Sequence, residues 1–229
     1  MTDAMILYLF DPLCGWCYGA APMLDKVVAQ GVSVEAVPTG LFAGPGARPL
    51  DAGFADYAWS QDQRIAQISG QEFTKAYVEN VLQAQGTSLD SSAATLGIVV
   101  AGLEEPTRRM VALKAIQRAR YVEGRDIVTT EGVASVLADV GLEAAADRLH
   151  APDAATRMQY RELTAYGRSL FQGLNANGVP ALVVRQDGGD RLIGADALFG
   201  SLDNLLARLR AANTSKTDKT PNPERISHG

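Results

Sequence analysis

The chain has 229 residues, 47% of them hydrophobic and 21% charged, with a formal net charge of −5. That balance fits one compact domain, or one domain carrying an insertion, with a sizeable core. Its basic residues are scattered, with short pairs such as Arg108-Arg109 and no run that would track a phosphate backbone, so no nucleic-acid partner is expected.

No stretch approaches the roughly 18 to 20 apolar residues of a membrane span, and "AATLGIVVAGL" reaches about half of that, so no membrane partner is expected either. The opening "MTDAMILYLFDPLCG" lacks a positive leading region, and its apolar run is too short for a signal segment. Residence in the cytoplasm is the expectation; a chain trimmed of a leader would read the same and would be periplasmic.

"MILYLF" (5–10), ended by Asp11-Pro12, reads as a buried strand. "CYGAAPMLDKVVAQG" (17–31) places Met23, Leu24, Val27 and Val28 at helical spacing and stops at Gly31. "VSVEAVPTGLF" (32–42) reads as a second strand, which makes a βαβ opening with two parallel strands. "AGPGARPL" is punctuation. From about residue 58 to 172 the pattern is helical: "EFTKAYVENVLQAQG", "SSAATLGIVVAGLEE", "EPTRRMVALKAIQRARYVEG" with a stripe of Met110, Leu113, Ile116 and Ala119, "TTEGVASVLADVG" with threonines suited to an N-cap, and "DAATRMQYRELTAYGRSLFQGL". After Gly178, "VPALVVRQ" (179–186), a turn at "DGGD" and "RLIGA" (191–195) read as a hairpin, and "DALFGSLDNLLARLRAA" (196–212) as a closing helix. Residues 213–229 have almost no apolar content and are expected to be disordered.

Both cysteines of the chain, Cys14 and Cys17, fall at the first strand-to-helix junction. A bridge between them would close too small a loop to constrain the unfolded chain, so stability is the weaker explanation for them. A dithiol that cycles with a disulfide needs one thiolate able to attack at neutral pH and a second thiol close enough to resolve the mixed disulfide. At the first turn of a helix, unpaired N–H groups and the helix dipole favour the Cys14 thiolate. Cys17, one turn further in, is more shielded and suits the resolving role. Gly15 leaves room for a substrate backbone, and Trp16 adds an apolar surface beside the reactive sulfur. Two rivals stand beside this reading. Zinc would need further ligands, and the only histidines are His150 and His228, so no metal is expected; two cysteines placed for packing alone remain an alternative.

The segment "FDPLCGWCYG" resembles the active-site segment of the DsbA-like thioredoxin-fold family, especially its FrnE-like branch. "RARYVEGRDI" (118–127) followed by "TTEGVASVLADVGL" resembles that family's inserted helical domain, and "NGVPALVV" (177–184) its Val-cis-Pro strand. The resemblance covers about residues 5 to 212. It implies an α/β protein, a thioredoxin-like fold interrupted by an inserted all-helical domain, with 1–57 and 173–212 as the thioredoxin-like part, 58–172 as the insertion and 213–229 as a tail. It also implies that Pro180, which the residues alone would read as a trans proline opening a strand, is cis and faces the cysteines, with Val179 offering its backbone to an extended substrate peptide.

The resemblance therefore implies a thiol–disulfide oxidoreductase acting on protein or peptide disulfides, needing no bound cofactor and drawing electrons from a glutathione or thioredoxin-type partner. The chain departs from the family pattern twice. Six positions before the first cysteine, where many members carry a buried carboxylate, stands Tyr8; Asp11, the nearest acid, is left as a possible proton relay or a plain turn former. The Gly-Trp spacer has no positive group, which favours a reductase or isomerase over a strong oxidase. The alternative is a glutathione transferase or isomerase of the kappa-class type, whose members usually carry Ser or one Cys where the dithiol stands.

Overall fold

The structure is a computed structural model and describes residues 5–84, 86, 88–103, 105–185 and 189–214. β1 (Ile6–Phe10), α1 (Gly15–Ala29) and β2 (Val34–Pro38) form the opening unit. β3 (Arg48–Pro49) and the helices α2 (Ala52–Ser69) and α3 (Lys75–Tyr77) follow, the last running into a π-helical turn at Val78–Leu82. After β4 (Ser88–Leu89) come α4 (Ser92–Ala101), α5 (Arg108–Tyr121), α6 (Thr130–Asp139), α7 (Glu143–His150) and α8 (Ala154–Gly173). β5 (Ala181–Val184), β6 (Arg191–Ile193), a 3₁₀ turn at Ala195–Phe199 and α9 (Leu202–Thr214) complete the chain.

The main sheet has the order β2-β1-β5-β6. β1 and β2 are parallel, with Tyr8 opposite Ala36, whereas β5 runs antiparallel to β1, with Tyr8 opposite Leu182, and β6 antiparallel to β5. β1 therefore lies inside the sheet with both faces covered, which is why it is a continuous apolar run instead of an alternating one, and all five of its residues are buried. The fold is the thioredoxin-like one implied by the sequence, with the β-structure split between the two ends of the chain and helices between them.

Packing adds to or corrects several expectations. Val28 lies within α1 as its spacing indicated but is exposed, so the buried stripe of the helix runs through Met23, Leu24 and Val27. The single helix expected over "EFTKAYVENVLQAQG" is the short α3 plus the π turn. "AGPGARPL" contains β3, whose two residues pair with β4 across forty positions of chain, too brief a ladder to leave a periodic signal. The helical stretch starts at Ala52, where the Asp51 carboxylate accepts the Phe54 N–H at 2.8 Å, so the expected division between 57 and 58 falls within α2. α9 reaches Thr214; the rest of the expected tail, and Gln186, Asp187 and Gly188 of the hairpin, lie outside the described residues.

Two features of α1 depend on α2 and the loop after it. Pro22 has no N–H for the Tyr18 carbonyl, and the Gln71 side-chain amide supplies the missing donor at 3.1 Å. Gly15 and Gly19, one turn apart, make the contact with α2: a Cβ on Gly15 would come within 2.3 Å of Asp62 Oδ1, and one on Gly19 within 2.4 Å of Ile65 Cγ2. Gly19→Ala is therefore expected to overpack this seam and destabilise the protein by about 1–3 kcal/mol, measured as a lowered urea midpoint at unchanged slope.

Candidate functional site

Cys14 is the N-cap of α1, and its side chain makes no capping bond; its backbone is extended, and its carbonyl receives the N–H groups of Cys17 and Tyr18. The sulfur thus sits at the end of the helix where N–H groups lack partners. Its thiol donates to the Val179 carbonyl at 3.5 Å, and the Val179–Pro180 peptide bond is cis. Cys17, in the first turn, is 1% exposed against 8% for Cys14. Burial pushes the Cys17 thiol well above the usual cysteine range, and the hydrogen bond it shares with the Cys14 sulfur adds to this.

The Tyr8 ring stacks on Phe10 at 5.6 Å, and its hydroxyl donates to the Cys17 carbonyl at 3.0 Å. Burial holds its phenol far above its ordinary value, so it is a fixed neutral donor and does not take protons from a thiol. Asp11 is fully buried. Its Oδ1 accepts the Leu13 N–H at 3.0 Å, and its Oδ2 accepts the Phe42 N–H at 3.0 Å and the Ser91 hydroxyl at 2.8 Å. The carboxylate ties the β1–α1 turn to the loop after β2 and to the start of α4. Its hydrogen bonds go to these three donors and not to either sulfur, as a turn former's would, while its charge adds to the upward push on the Cys17 thiol.

The space a side chain on Gly15 would take is filled by Asp62 and Ile65, so its missing side chain admits α2, and Gly15 itself lies on the wall of the cavity beside Cys14. Trp16 lies edge-on to Phe199 at 5.1 Å, with the Arg64 guanidinium 5.8 Å above its ring. Cys14, Gly15 and Trp16 line a cavity of about 280 Å³ whose other walls come from the helical region, the loop after β2, β3 and β4, with Arg48, Asp62, Tyr77 and Arg120 among its polar groups.

Sequence reasoning missed these four. Asp62 is 4% exposed; Tyr77 donates to its Oδ2 at 2.9 Å, and burial pushes its carboxyl up to about 7 against the pull of that bond and of the Arg120 charge. Arg120 is 3% exposed, lies 5.7 Å from the centres of the Tyr77 and Tyr121 rings, and its Nε has no hydrogen-bond partner. Tyr121 donates to the Leu13 carbonyl at 2.8 Å and stacks on Tyr18 at 4.8 Å, so α5 grips the residue before Cys14. One signal was present: Asp62 interrupts the apolar stripe Ala55, Trp59, Ile65 on α2.

A sequence profile of the DSBA-like thioredoxin domain matches residues 5–206. The chain belongs to the DSBA-like thioredoxin family. It is similar to the cytosolic disulfide reductase DsbM from Pseudomonas aeruginosa, with 32% identity, a TM-score of 0.76, and 91% of this chain and 98% of that one covered. The same reductase solved with GSH gives 31% identity and a TM-score of 0.74 over the same shares. A candidate protein disulfide isomerase from Nitrosomonas europaea gives 25% identity and a TM-score of 0.71, covering 90% of this chain and 98% of that one. A search of curated proteins found no significant match. The family assignment carries the enzyme class of a thiol–disulfide oxidoreductase.

The Asp62 carboxyl also affects stability. Its folded-state value lies above the ordinary 3.8, so the folded protein holds the extra proton from about pH 4 to about pH 7 and loses stability as pH rises through that window, by on the order of 4 kcal/mol. Thermal melts of Asp62→Asn are expected to show a flatter decline over this range than the parent chain, with the variant gaining relative stability at pH 8.

Proposed function

We propose that the protein is a disulfide reductase in which Cys14 attacks a substrate disulfide, Cys17 resolves the mixed disulfide, and a glutathione-type thiol returns the electrons. The observation that carries this is the asymmetry of the pair: the Cys14 sulfur lines an open cavity beside the Val179 carbonyl, while Cys17 is sealed behind it with its thiol held protonated. An extended segment of a protein or peptide substrate would pair with the backbone at Val179 next to Pro180, with Gly15 and Trp16 flanking the sulfur. The Arg48 and Arg120 guanidiniums suit the carboxylates of glutathione, and the likeness to a reductase solved with GSH supports the same class of partner. Work in the cytoplasm agrees with the cytosolic reductase among the similar structures. No helix among the described residues is long and apolar enough to cross a membrane.

Cys14→Ser is expected to abolish disulfide reduction, and Cys17→Ser to stop turnover while accumulating a glutathione adduct on Cys14 visible in the intact mass. Equilibration in glutathione buffers should place the couple near about −270 mV; a value near about −120 mV would mean an oxidase. Activity toward an electrophile with glutathione that survives Cys17→Ser would favour the transferase reading instead.

A further inference from the structure

The dithiol chemistry proposed above leaves a proton unassigned, and the inference that follows rests on that reading. Each alkyl disulfide that Cys14 opens expels a thiolate, which leaves faster when it is protonated as it departs. The usual strand position holds Tyr8, a donor already committed to the Cys17 carbonyl. Asp11 is committed to three donors of its own. Asp62 is different: Tyr77 occupies only its Oδ2, while its Oδ1 rests against Gly15, the residue after Cys14, on the wall of the cavity into which the Cys14 sulfur opens.

We propose that Asp62, contributed by α2 of the helical region, is the general acid that protonates the substrate thiolate expelled in each exchange at Cys14. In the first step the Cys14 thiolate attacks one sulfur of R–S–S–R′. The Cys14–S–R bond forms, the S–S bond breaks, and the R′ sulfur departs with the electron pair and takes the Asp62 proton as R′–SH. Water restores that proton. In the second step the Cys17 thiol gives up its proton to solvent and its sulfur attacks Cys14. The Cys14–Cys17 disulfide forms, and the R sulfur leaves into the same cavity and is protonated in the same way. The dithiol is oxidised by two electrons, and the substrate disulfide is reduced by the same two.

The surroundings of Asp62 are suited to this task. Burial keeps a useful fraction of the carboxyl protonated near pH 7. The charged and titratable groups that face it or share its cavity are Tyr77 of α3, Arg120 and Tyr121 of α5, Cys14 at the start of α1, Arg48 of β3 and Tyr57 of α2. Arg120 pulls the carboxyl back toward ionisation and so keeps it from remaining protonated far above neutrality.

The test compares two disulfides in single-turnover reactions with the reduced protein. One is 2-hydroxyethyl disulfide, whose alkyl thiolate needs a proton; the other is an aryl disulfide whose nitrothiophenolate is stable without one. The ratio of alkyl to aryl rates removes the shared ionisation of the attacking thiol. In the parent chain this ratio is expected to fall as pH rises above about 7. Asp62→Asn is expected to lower the alkyl rate at pH 6 by about tenfold or more, to leave the aryl rate within about twofold, and to make the ratio independent of pH. Tyr77→Phe, which removes the bond that lowers the carboxyl, is expected to move the fall to higher pH. Equal slowing of both disulfides by Asp62→Asn, or a parent ratio flat in pH, would overturn the role of Asp62 while leaving the dithiol reading intact. Failure of the parent chain to react with either disulfide would overturn both.

Discussion

The close approach of α2 to α1 is the constraint on which the rest of this site depends. Two glycines one turn apart, Gly15 and Gly19, remove the side chains that would hold the helices apart, and Asp62 and Ile65 fill the space. Without that seam the helical region would not form a wall beside Cys14, and the N-terminus of α1 would open to solvent instead of into a cavity. The same contact explains the repair of α1 at Pro22, because Gln71, just beyond α2, is near enough to serve the Tyr18 carbonyl.

The second organising feature is the burial of charge around a reactive sulfur. Asp11, Asp62 and Arg120 are all nearly inaccessible, and they meet this cost in different ways. Asp11 is satisfied by three donors and acts as a knot between loops. Asp62, with one donor, meets part of the cost by keeping its proton to unusually high pH. Arg120 lies against two aromatic rings, where a diffuse cation is tolerated and can act on both carboxylates. Tyr121 next to it holds the Leu13 carbonyl, so one turn at the end of α5 controls both the electrostatics of the cavity and the position of the chain that leads into Cys14.

The dithiol, the junction it occupies and the βαβ opening were legible because they are local. A buried central strand must be apolar throughout, a helix start follows a turn, and two cysteines two residues apart need no knowledge of the remaining chain. The helices α4, α5, α6, α8 and α9 were legible for the same reason, since caps and periodic stripes are written in neighbouring residues, whereas the eight-residue α7 was not singled out. Val28 lies in the helix its spacing indicated but is exposed, because helical spacing identifies a face without showing how wide a strip the neighbouring elements cover. The β3–β4 ladder was missed because two-residue strands carry no period.

The sequence by itself determined a βαβ opening with a dithiol at the head of a helix and β-structure split between the chain's two ends, because such patterns are readable within a few residues, and its resemblance to the DsbA-like family supplied the thioredoxin-like framework. The tertiary structure alone decided which acids, cations and rings surround that dithiol. Asp62, Tyr77 and Arg120 lie between roughly fifty and one hundred residues beyond Cys14, and only the folding of the helical region over α1 brings them to one cavity. It also decided that Asp11 serves as a structural tie, since its donors come from the β1–α1 turn, the loop after β2 and the start of α4. Propensity and periodicity act over a turn or two of chain, whereas the protonation of a buried carboxyl depends on everything packed around it in space.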